Sequence, residues 1–347
     1  MKLLYDNFVY DLQRIGGISS YWYELTKRFL ADPETDIRFY ESLRPNHNIL
    51  RKMLEIDPEN IMTSHSKQLL LERFKRLKTP DFDNQTIFHS SYFRVPERGS
   101  NVRKVCTIHD FTHDLYFKGP RVFLHNVIKK RAITESDAII TVSENTKKDL
   151  LYFYPGIDEK KVHVIHNGVS DEFKDLKVKV KNELIYVGSR DNYKNFDFVV
   201  KLVSKLKNYH LNIVGSALSK DELELVKTNL KKRYTVFTNV SIEKLNQLYN
   251  RSMCLLYLSS YEGFGIPLLE AMRAGCPFVA LDASSIPEVA GDAGILLPDL
   301  DIGLAVEAVK TISAKRNLYT KKGETQSLKF SWDRCYAETR DLYKNLL

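Results

Sequence analysis

Short apolar segments alternate with helical stretches along the chain, and the whole pattern starts a second time after residue 183. The apolar segments are bounded by polar residues and are too short for buried helices, as is typical of strands in a parallel sheet. The first series comprises residues 3–6, 37–40, 86–89, 102–108 and 138–142, and the second comprises residues 184–187, 210–214, 235–237, 254–258, 277–280 and 294–297. Strands joined by helical crossovers predict an α/β fold made of two doubly wound domains.

The length of the chain, 347 residues, exceeds what one hydrophobic core usually serves, which also favours two domains. We predict an N-terminal domain over residues 1–169, a linker over 170–183, a second domain over 184–330 and a terminal helical segment over 331–347. The linker is assigned because its residues are polar and charged, with only scattered apolar side chains. In the terminal segment, Ser331 is a suitable N-cap, and the expected buried stripe of the helix is Trp332, Tyr336 and Tyr343.

The cysteines bear on the compartment in which the protein works. Four are present, widely spaced and without a C-x-x-C pair, at positions Cys106, Cys254, Cys276 and Cys335. This spacing predicts neither a disulfide framework nor a zinc site. No window contains the roughly eighteen consecutive apolar residues that would span a bilayer, and the N-terminal residues enter a strand pattern without a basic and apolar leader. We therefore expect a cytosolic protein.

Positive charge is concentrated in one part of the N-terminal half. Residues 67–131 carry 14 Lys or Arg and 6 Asp or Glu, a net charge of +8 that equals the net charge of the whole chain. Within this region, residues 67–78 predict a helix with Leu70, Phe74 and Leu77 on one face and bases on the remainder. Such a helix can lie on an anionic membrane, or its apolar stripe can pack on its own domain; both interpretations stay open. No nucleic-acid-binding motif accompanies the bases, so nucleic acid is not expected as a partner.

The most specific chemical signal is a glycine turn between two glutamates. Glu262 follows a short apolar strand, at the position where open α/β sheets bind ligands. Gly263 and Gly265 permit close approaches that a Cβ would obstruct, and Pro267 suits the first turn of a following helix. That helix would present free N–H groups to an anion and would carry Glu270 about two turns beyond Glu262. Because carboxylates accept hydrogen bonds from paired hydroxyls, the turn predicts a sugar-nucleotide site.

The string Glu262-Gly-Phe-Gly-Ile-Pro-Leu-Leu-Glu-Ala-Met, with Ala-Gly-Cys-Pro ending at Pro277, resembles the donor-site signature of retaining glycosyltransferases of family 4. The resemblance extends over nearly the whole chain. It implies the GT-B fold, in which two Rossmann-like domains face a cleft and a C-terminal helix crosses back to the N-terminal domain. It implies that Glu262 binds hydroxyls of the donor sugar and that Glu270 holds the ribose. It also implies donor contacts from Gly263, Phe264, Gly265 and Ile266.

Arg190 and Lys194 are the predicted contacts of the leaving diphosphate. A departing diphosphate develops negative charge in the transition state, so the site must hold cations there. The segment from Val187 to Asn195 follows a strand and resembles the family's Gly-Arg…Lys loop. Its spacing departs from the family pattern, because Ser189 follows the glycine and Arg190 is displaced by one position. No Asp-x-Asp metal motif accompanies the donor loop, so we expect catalysis without a metal ion or other cofactor.

Two features of the N-terminal half are also assigned to the donor. Gly16 and Gly17 precede a helix, whose first N–H groups can bind a phosphate, and their position after the first strand matches the family's N-domain loop. His109 ends an apolar strand. The string from Thr107 to Asp110 is similar to a family motif whose histidine contacts the donor sugar, which assigns a catalytic role to His109 and a weaker one to Asp110.

The nucleobase is assigned to the segment 238–241, which aligns with the family's base-contacting loop. This alignment places Asn239 and Val240 among the donor-binding residues. Backbone groups usually read the base there, so the side chains leave GDP-, UDP- and dTDP-linked donors open. GDP-mannose is the leading donor, because residues 13–21 and 107–113 look like those of bacterial polysaccharide mannosyltransferases.

The expected function is retaining transfer of a sugar to a glycan on a lipid-diphosphate carrier, in the synthesis of a surface polysaccharide such as O-antigen or capsule. The carrier would bring the protein to the inner face of the cytoplasmic membrane as a peripheral protein. Front-face substitution is expected, since no carboxylate stands out as a covalent nucleophile. Two alternatives remain open: a sugar-nucleotide 2-epimerase on a similar scaffold, although its glutamate signature differs, and a glycosyltransferase-like subunit that only supports an active partner.

Overall fold

The protein consists of two units, each built around one parallel β-sheet. A computed structural model describes residues 1–43, 46–64, 73–78, 86–97 and 101–347. The first unit comprises Met1–Asn167 and Trp332–Leu347, and the second comprises Gly168–Ser331. The predicted α/β class with two Rossmann-like domains is confirmed.

The sheet of the first unit contains seven parallel strands within the described residues. They are β1 (Lys2–Asp6), β2 (Asp36–Ser42), β3 (Ile61–Ser64), β4 (Thr86–Ser90), β5 (Val102–Ile108), β6 (Ala138–Thr141) and β7 (Val162–Val164). Their order is β3-β2-β1-β4-β5-β6-β7, so the direction of the connections reverses between β1 and β4. All residues of β4 are buried, as expected of a central strand covered on both faces.

The helices of the first unit follow the strands. They are α1 (Val9–Leu12), α2 (Gly17–Ala31), α3 (Ile49–Met53), α4 (Thr112–Tyr116), α5 (Pro120–Glu135), α6 (Glu144–Phe153) and the C-terminal α14 (Trp332–Leu346), with 3₁₀ turns at Pro58–Asn60 and Glu159–Lys161. Helix α2 buries Tyr21, Leu25 and Phe29, which recur at helical spacing as the sequence predicts.

The second unit repeats this architecture with six parallel strands. They are β8 (Glu183–Val187), β9 (His210–Val214), β10 (Tyr234–Phe237), β11 (Cys254–Tyr257), β12 (Phe278–Leu281) and β13 (Ile295–Leu297). The helices are α7 (Phe196–Lys205), α8 (Lys220–Leu230), α9 (Ile242–Arg251), α10 (Ile266–Arg273), α11 (Ile286–Ala290), α12 (Ile302–Ala314) and α13 (Arg316–Ser327), with a 3₁₀ turn at Asn192–Lys194. The strand order is β10-β9-β8-β11-β12-β13, and the reversal falls between β8 and β11.

The C-terminal helix α14 completes the core of the first unit, as predicted. Trp332 and Tyr343 are buried in the cluster that also contains side chains of β1 and α2. The hydroxyl oxygen of Tyr343 lies 2.9 Å from that of Tyr5 and also hydrogen-bonds Nδ1 of His89. The other ring nitrogen of His89 lies 2.9 Å from Oγ1 of Thr107. Burial lowers the pKa of His89 to about 3, so the neutral ring is one link in a buried polar chain.

Residues 170–183, predicted as a linker between the domains, pack on the second unit instead. Phe173 is buried against the ring of Tyr249. The backbone N–H groups of Lys174 and Leu176 donate to the side-chain oxygens of Asn246 and Asn250 in α9, at 3.2 and 2.6 Å. The polar composition of this segment therefore reflects hydrogen bonding to a helix, and the first unit ends at Asn167 rather than at residue 169.

The predicted basic helix over 67–78 is wrong where it can be checked. Residues 65–72 lie outside the described residues, whereas residues 73–78 form a turn and one isolated bridge. Leu77 is buried through that bridge to Pro96, and the guanidinium of Arg76 makes a bidentate ion pair with Glu135 at 2.6 and 2.8 Å. Local helical spacing was overridden here by tertiary pairing.

All four cysteines are buried free thiols. No helix within the described ranges combines the length and the apolar character needed to cross a membrane.

Candidate active site

Lys194 and Glu262 lie together at the switch point of the second sheet. β8 and β11 are neighbours whose connections run in opposite directions, and ligands of doubly wound folds bind beyond the carboxyl ends of such strands. Lys194 ends the 3₁₀ turn that follows β8, and Glu262 lies in the loop that follows β11. Nζ of Lys194 is 2.5 Å from Oε1 of Glu262. The residues predicted to hold the diphosphate and the sugar are thus ionic partners of each other.

Asn195 fixes the position of Lys194, a role that the sequence reasoning missed. Its backbone is left-handed (φ 53°, ψ 38°), a conformation that asparagine tolerates better than most residues. Its side-chain amide donates to the carbonyl oxygen of Leu258 at 2.7 Å and to Oγ of Ser260 at 2.8 Å. The N–H of Ser260 donates to the carbonyl oxygen of Tyr193 at 2.7 Å. These bonds tie the loop after β8 to the loop after β11.

Ser284 and Ser285 hold the backbone of the glutamate loop from the end of β12, and they were also missed. The N–H of Glu262 donates to Oγ of Ser284 at 2.8 Å. Oγ of the buried Ser285 lies 2.9 Å from the carbonyl oxygens of Glu262 and Phe264. The position of these serines just after a predicted strand was the available signal, because the ends of parallel strands share one edge of a sheet.

The glycine turn leads into α10 as predicted. Gly265 has φ +115°, a conformation that strains any residue with a Cβ, and α10 begins at the next residue, Ile266. Phe264 is buried and its ring lies 5.7 Å from that of Phe330, so its side chain belongs to the core and only its backbone can face a ligand. Gly263 lies in the same loop, between Glu262 and Phe264.

Glu270 lies on α10 and is held by a buried tyrosine. The hydroxyl of Tyr249 donates to Oε2 of Glu270 at 3.0 Å. Burial raises the pKa of Glu270 to about 7, against a smaller lowering effect of the Tyr249 hydrogen bond. This carboxyl therefore titrates near neutral pH, which an ordinary surface glutamate does not.

The guanidinium of Arg190 is engaged at the end of β9. Its Nε lies 2.9 Å from Oε1 of Glu222 in α8, and Nη2 donates to Oγ of Ser216 at 3.0 Å and to the carbonyl oxygen of Ala217 at 2.8 Å. None of these contacts involves Lys194 or Glu262. Arg190 follows β8, as Lys194 does, but its guanidinium lies at the end of the neighbouring strand β9. It is therefore on the same edge of the sheet as the Lys194–Glu262 ion pair but does not take part in it.

Gly215 allows the loops after β8 and β9 to approach each other. A Cβ at this position would lie 2.5 Å from the carbonyl oxygen of Gly188, which is closer than real Cβ contacts come. The same Cβ would lie 3.1 Å from Nη1 of Arg190. Only glycine fits between these loops.

Asn239 and Val240 follow β10, at the far side of the same carboxyl edge. Asn239 is exposed and has a left-handed backbone with φ 52°. Ser241 then caps α9, because its Oγ accepts a hydrogen bond from the N–H of Lys244 at 3.1 Å. The predicted base-contacting loop is therefore a short exposed turn between a strand and a helix.

In the first unit, His109 lies beside the first turns of α2. Its ring makes an edge contact with Tyr21 at a centroid distance of 4.9 Å, and Tyr21 is one helical turn beyond Gly17. Gly17 is the first residue of α2, and the extended Gly16 (φ 176°) precedes it as N-cap. The first N–H groups of any α-helix lack intrahelical partners, so this turn can present donors to an anion.

His109 is neutral at physiological pH. Burial lowers its pKa to about 4, against a smaller raising effect of Asp110. A neutral imidazole carries one donor and one acceptor nitrogen, which suits a sugar hydroxyl. The carboxylate of Asp110 accepts from the N–H of Thr112, the first residue of α4, at 2.9 Å, which gives this residue a structural role.

No metal-binding cluster of three or more His, Cys, Asp or Glu side chains occurs in the part of the chain that the structure describes.

Two family models match the chain, and between them they reach both units. The model described as Glycosyltransferase Family 4 matches residues 15–173, and the model described as Glycosyl transferases group 1 matches residues 170–326. The second match contains Arg190, Lys194, Glu262 and Glu270.

Curated relatives include two enzymes of bacterial O-antigen synthesis. O-antigen chain mannosyltransferase B of Escherichia coli is 27% identical, and the match covers 96% of this chain and 97% of that protein. O-antigen chain mannosyltransferase RfbU of Salmonella typhimurium is 28% identical over 63% of this chain and 67% of that protein.

Solved structures agree on the fold. Sucrose-phosphate synthase from Thermosynechococcus elongatus has a TM-score of 0.77 at 17% identity and covers 100% of this chain and 99% of its own. HepE from Anabaena, in complex with UDP and glucose, has a TM-score of 0.72 at 15% identity and covers 99% of each chain. Fold and family models together define a glycosyltransferase with the GT-B fold. The chain belongs to glycosyltransferase family 4.

Proposed function

We propose that the protein is a retaining mannosyltransferase that moves mannose from GDP-mannose to a lipid-diphosphate-linked glycan during surface polysaccharide synthesis. The acceptor lipid would place it at the cytoplasmic face of the membrane. The general class rests on the family, and mannose is supported by the relatives, since the two O-antigen enzymes are both named mannosyltransferases.

The observation that carries the proposal is the ion pair between Lys194 and Glu262 at the switch point. A sugar diphosphate offers each member of the pair a better partner. Phosphate oxygens accept from the ammonium of Lys194, and sugar hydroxyls donate to the carboxylate of Glu262. Donor binding would therefore exchange one internal ion pair for two sets of contacts that flank the bond to be broken.

The proposed chemistry is front-face substitution. The bond between C1 of mannose and the diphosphate oxygen breaks, and a new bond forms between C1 and the acceptor oxygen on the same face. The acceptor proton passes to the leaving phosphate. Lys194, the N–H groups of the turn at Gly263 and Gly265 and, more remotely, Arg190 would stabilise the growing negative charge.

The remaining donor contacts follow the sequence predictions. We propose that the neutral His109 hydrogen-bonds the donor sugar and that the helix start at Gly16 and Gly17 faces a phosphate. Glu270 would accept from the ribose hydroxyls, and Asn239 and Val240 would lie along the base.

Donor selection tests this proposal directly. Thermal stabilisation would be measured against GDP, UDP, dTDP and their common sugars, because a ligand that binds only the folded state raises the melting temperature. With a polyprenyl-diphosphate-linked mannoside as acceptor, GDP-mannose should then give a mannosylated product. NMR of this product should show that the anomeric configuration of the donor is retained. A shift with UDP alone would contradict the GDP donor. Release of free nucleotide without acceptor would favour the epimerase, and no shift with any nucleotide would favour the scaffold subunit.

Metal independence is part of the proposal. Transfer should continue at an undiminished rate after dialysis against EDTA and be unaffected by added Mg²⁺ or Mn²⁺. A loss that Mn²⁺ restores would show that the reaction needs a metal.

Glu270 predicts how donor binding depends on pH. Ribose hydroxyls donate best to the ionised carboxylate, whose pKa is about 7 in the folded protein, so GDP-mannose affinity should rise as the pH increases towards and through 7. The raised pKa also affects folding. As the pH rises from the ordinary glutamate pKa to about 7, the carboxyl ionises in the unfolded chain but not in the folded protein, so the free energy of unfolding of the wild type should fall. Glu270→Gln should remove both dependences.

GDP-mannose suits this titration because its diphosphate is esterified at both ends and has no proton to lose near neutral pH. Isothermal calorimetry across the pH range would compare the wild type with Glu270→Gln and with Glu307→Gln, an exposed glutamate on α12. Equal pH slopes for all three proteins would contradict the ribose role.

A further inference from the structure

One surface of the first unit exposes bulky apolar side chains on two adjacent helices. They lie at the end of α4 and in the first half of α5 and form what we call the apolar patch: Leu115, Tyr116, Phe117, Phe123, Leu124 and Val127. Phe123 is 71% exposed. Single exposed apolar side chains are ordinary, whereas several on one short stretch mark an interaction surface.

The two helices that carry the apolar patch are fixed to each other. Lys129 of α5 is buried and its Nζ lies 2.7 Å from Oδ2 of Asp114 in α4. The rings of His113 and His125 are stacked, with a centroid distance of 4.5 Å. The side chains of the apolar patch are therefore exposed on two helices that are packed against each other.

The exposed charges on the segment that carries the apolar patch are all positive. Residues 115–134 contain five Lys or Arg and no Asp or Glu. Lys118 and Arg121 are exposed in the turn between the two helices, and Lys130 is exposed just beyond Val127 on α5. Between Lys118 and Arg121, Gly119 with φ +113° is the N-cap of α5 and Pro120 is its first residue.

We propose that the apolar patch docks on an anionic lipid bilayer. Aromatic and aliphatic side chains can enter the boundary between headgroups and acyl chains, while Lys118, Arg121 and Lys130 bind lipid phosphates. The absence of acidic residues from 115–134 fits a uniformly negative surface better than a protein partner, whose surface carries both signs. This docking does not depend on the identity of the donor.

The proposed surface differs from the predicted basic helix over 67–78. Arg76 is engaged by Glu135, and Leu77 is buried, so neither is available to a membrane. The proposed membrane contact therefore uses the apolar side chains of α4 and α5 instead of those in the predicted basic helix.

Cosedimentation of the full chain with vesicles tests the proposal. The vesicles would contain phosphatidylcholine alone or phosphatidylcholine partly replaced by phosphatidylglycerol. We expect binding to the anionic vesicles, weakened by high salt because the charge attraction is screened. The double variant Phe123→Ser/Leu124→Ser should lower the partition coefficient by about tenfold or more, since two bulky side chains no longer leave water. Lys118→Gln/Arg121→Gln should reduce binding to the level seen with neutral vesicles.

Matched controls come from the second unit. Leu304 and Leu328 are 47% and 65% exposed, against 42% for Leu124 and 71% for Phe123, and Leu304→Ser/Leu328→Ser should bind like the wild type. Circular dichroism would verify that each variant is folded.

Three outcomes would overturn the docking proposal: no binding of the wild type to anionic vesicles, equal binding of Phe123→Ser/Leu124→Ser, or self-association that this variant abolishes while vesicles remain unbound. The last outcome would assign the patch to a second copy of the chain. Because no nucleotide is present, a negative result here leaves the proposed transferase activity unaffected.

Discussion

Replacing Glu262 by glutamine is expected to lower the rate of sugar transfer by about a hundredfold to a thousandfold, the usual cost of losing one well-placed polar contact in a transition state. The carboxylate accepts hydrogen bonds only, whereas an amide presents a donor where a sugar hydroxyl must donate. The loss should appear in kcat/KM for the sugar nucleotide. Affinity for GDP itself should change little, because the proposed contact is with the sugar.

The exposed Glu307 supplies the control for this variant, since Glu307→Gln changes the same chemical group elsewhere on the second unit. Undiminished turnover by Glu262→Gln would contradict the assignment of the donor sugar to this loop. If Glu262→Gln lowered the affinity for GDP as much as it lowers kcat/KM, Glu262 would contact the nucleotide rather than the sugar.

Replacing Lys194 by methionine is the second change with a large expected effect. Methionine keeps much of the side-chain volume but removes the ammonium that we propose to stabilise the leaving diphosphate. We expect kcat to fall by about a thousandfold and GDP affinity to fall as well, because the phosphate contact exists in both the ground state and the transition state. Retention of full GDP affinity would show that the ammonium does not contact the diphosphate.

The double variant Lys194→Met/Glu262→Gln separates structural effects from catalytic ones. Each single variant leaves one half-buried member of the ion pair without its partner, so each should lower the free energy of unfolding. The double variant should recover part of that stability but none of the activity. Denaturant unfolding measures the first quantity and transfer assays the second. Activity that returns together with stability would indicate a purely structural pair.

The regular framework was predictable because its strands are locally encoded. The predicted strands at 102–108 and 210–214 coincide with β5 and β9, since runs such as Leu211-Asn-Ile-Val214 are apolar enough to specify a buried strand. Strands β3 and β7 were not predicted. The first, Ile-Met-Thr-Ser, and the second, Val-His-Val, are short and partly polar, and they become strands only by pairing with a neighbour already in place.

The candidate site was predictable as a set of residues but not as an arrangement. The glutamate turn could be recognised from its own glycines and proline. The partners of these residues come from distant loops, and no local pattern encodes them: Lys194 meets Glu262 across 68 positions, and Ser285 reaches back 23 positions to the Glu262 carbonyl. The same holds for Arg190, which lies in the loop after β8 and whose partner Glu222 lies on α8.

The return of α14 to the first unit has a consequence for the order in which the chain is made. During synthesis, most of the first unit leaves the ribosome before the second unit, yet its core lacks Trp332 and Tyr343 until α14 has emerged. Until then, the hydroxyl of Tyr5 and Nδ1 of His89 lack the partner that Tyr343 supplies. A chain stopped before Trp332 would contain the whole second unit and would still leave the first unit with an open aromatic face. The emergence of α14 therefore acts as a late folding step of the domain that was begun first.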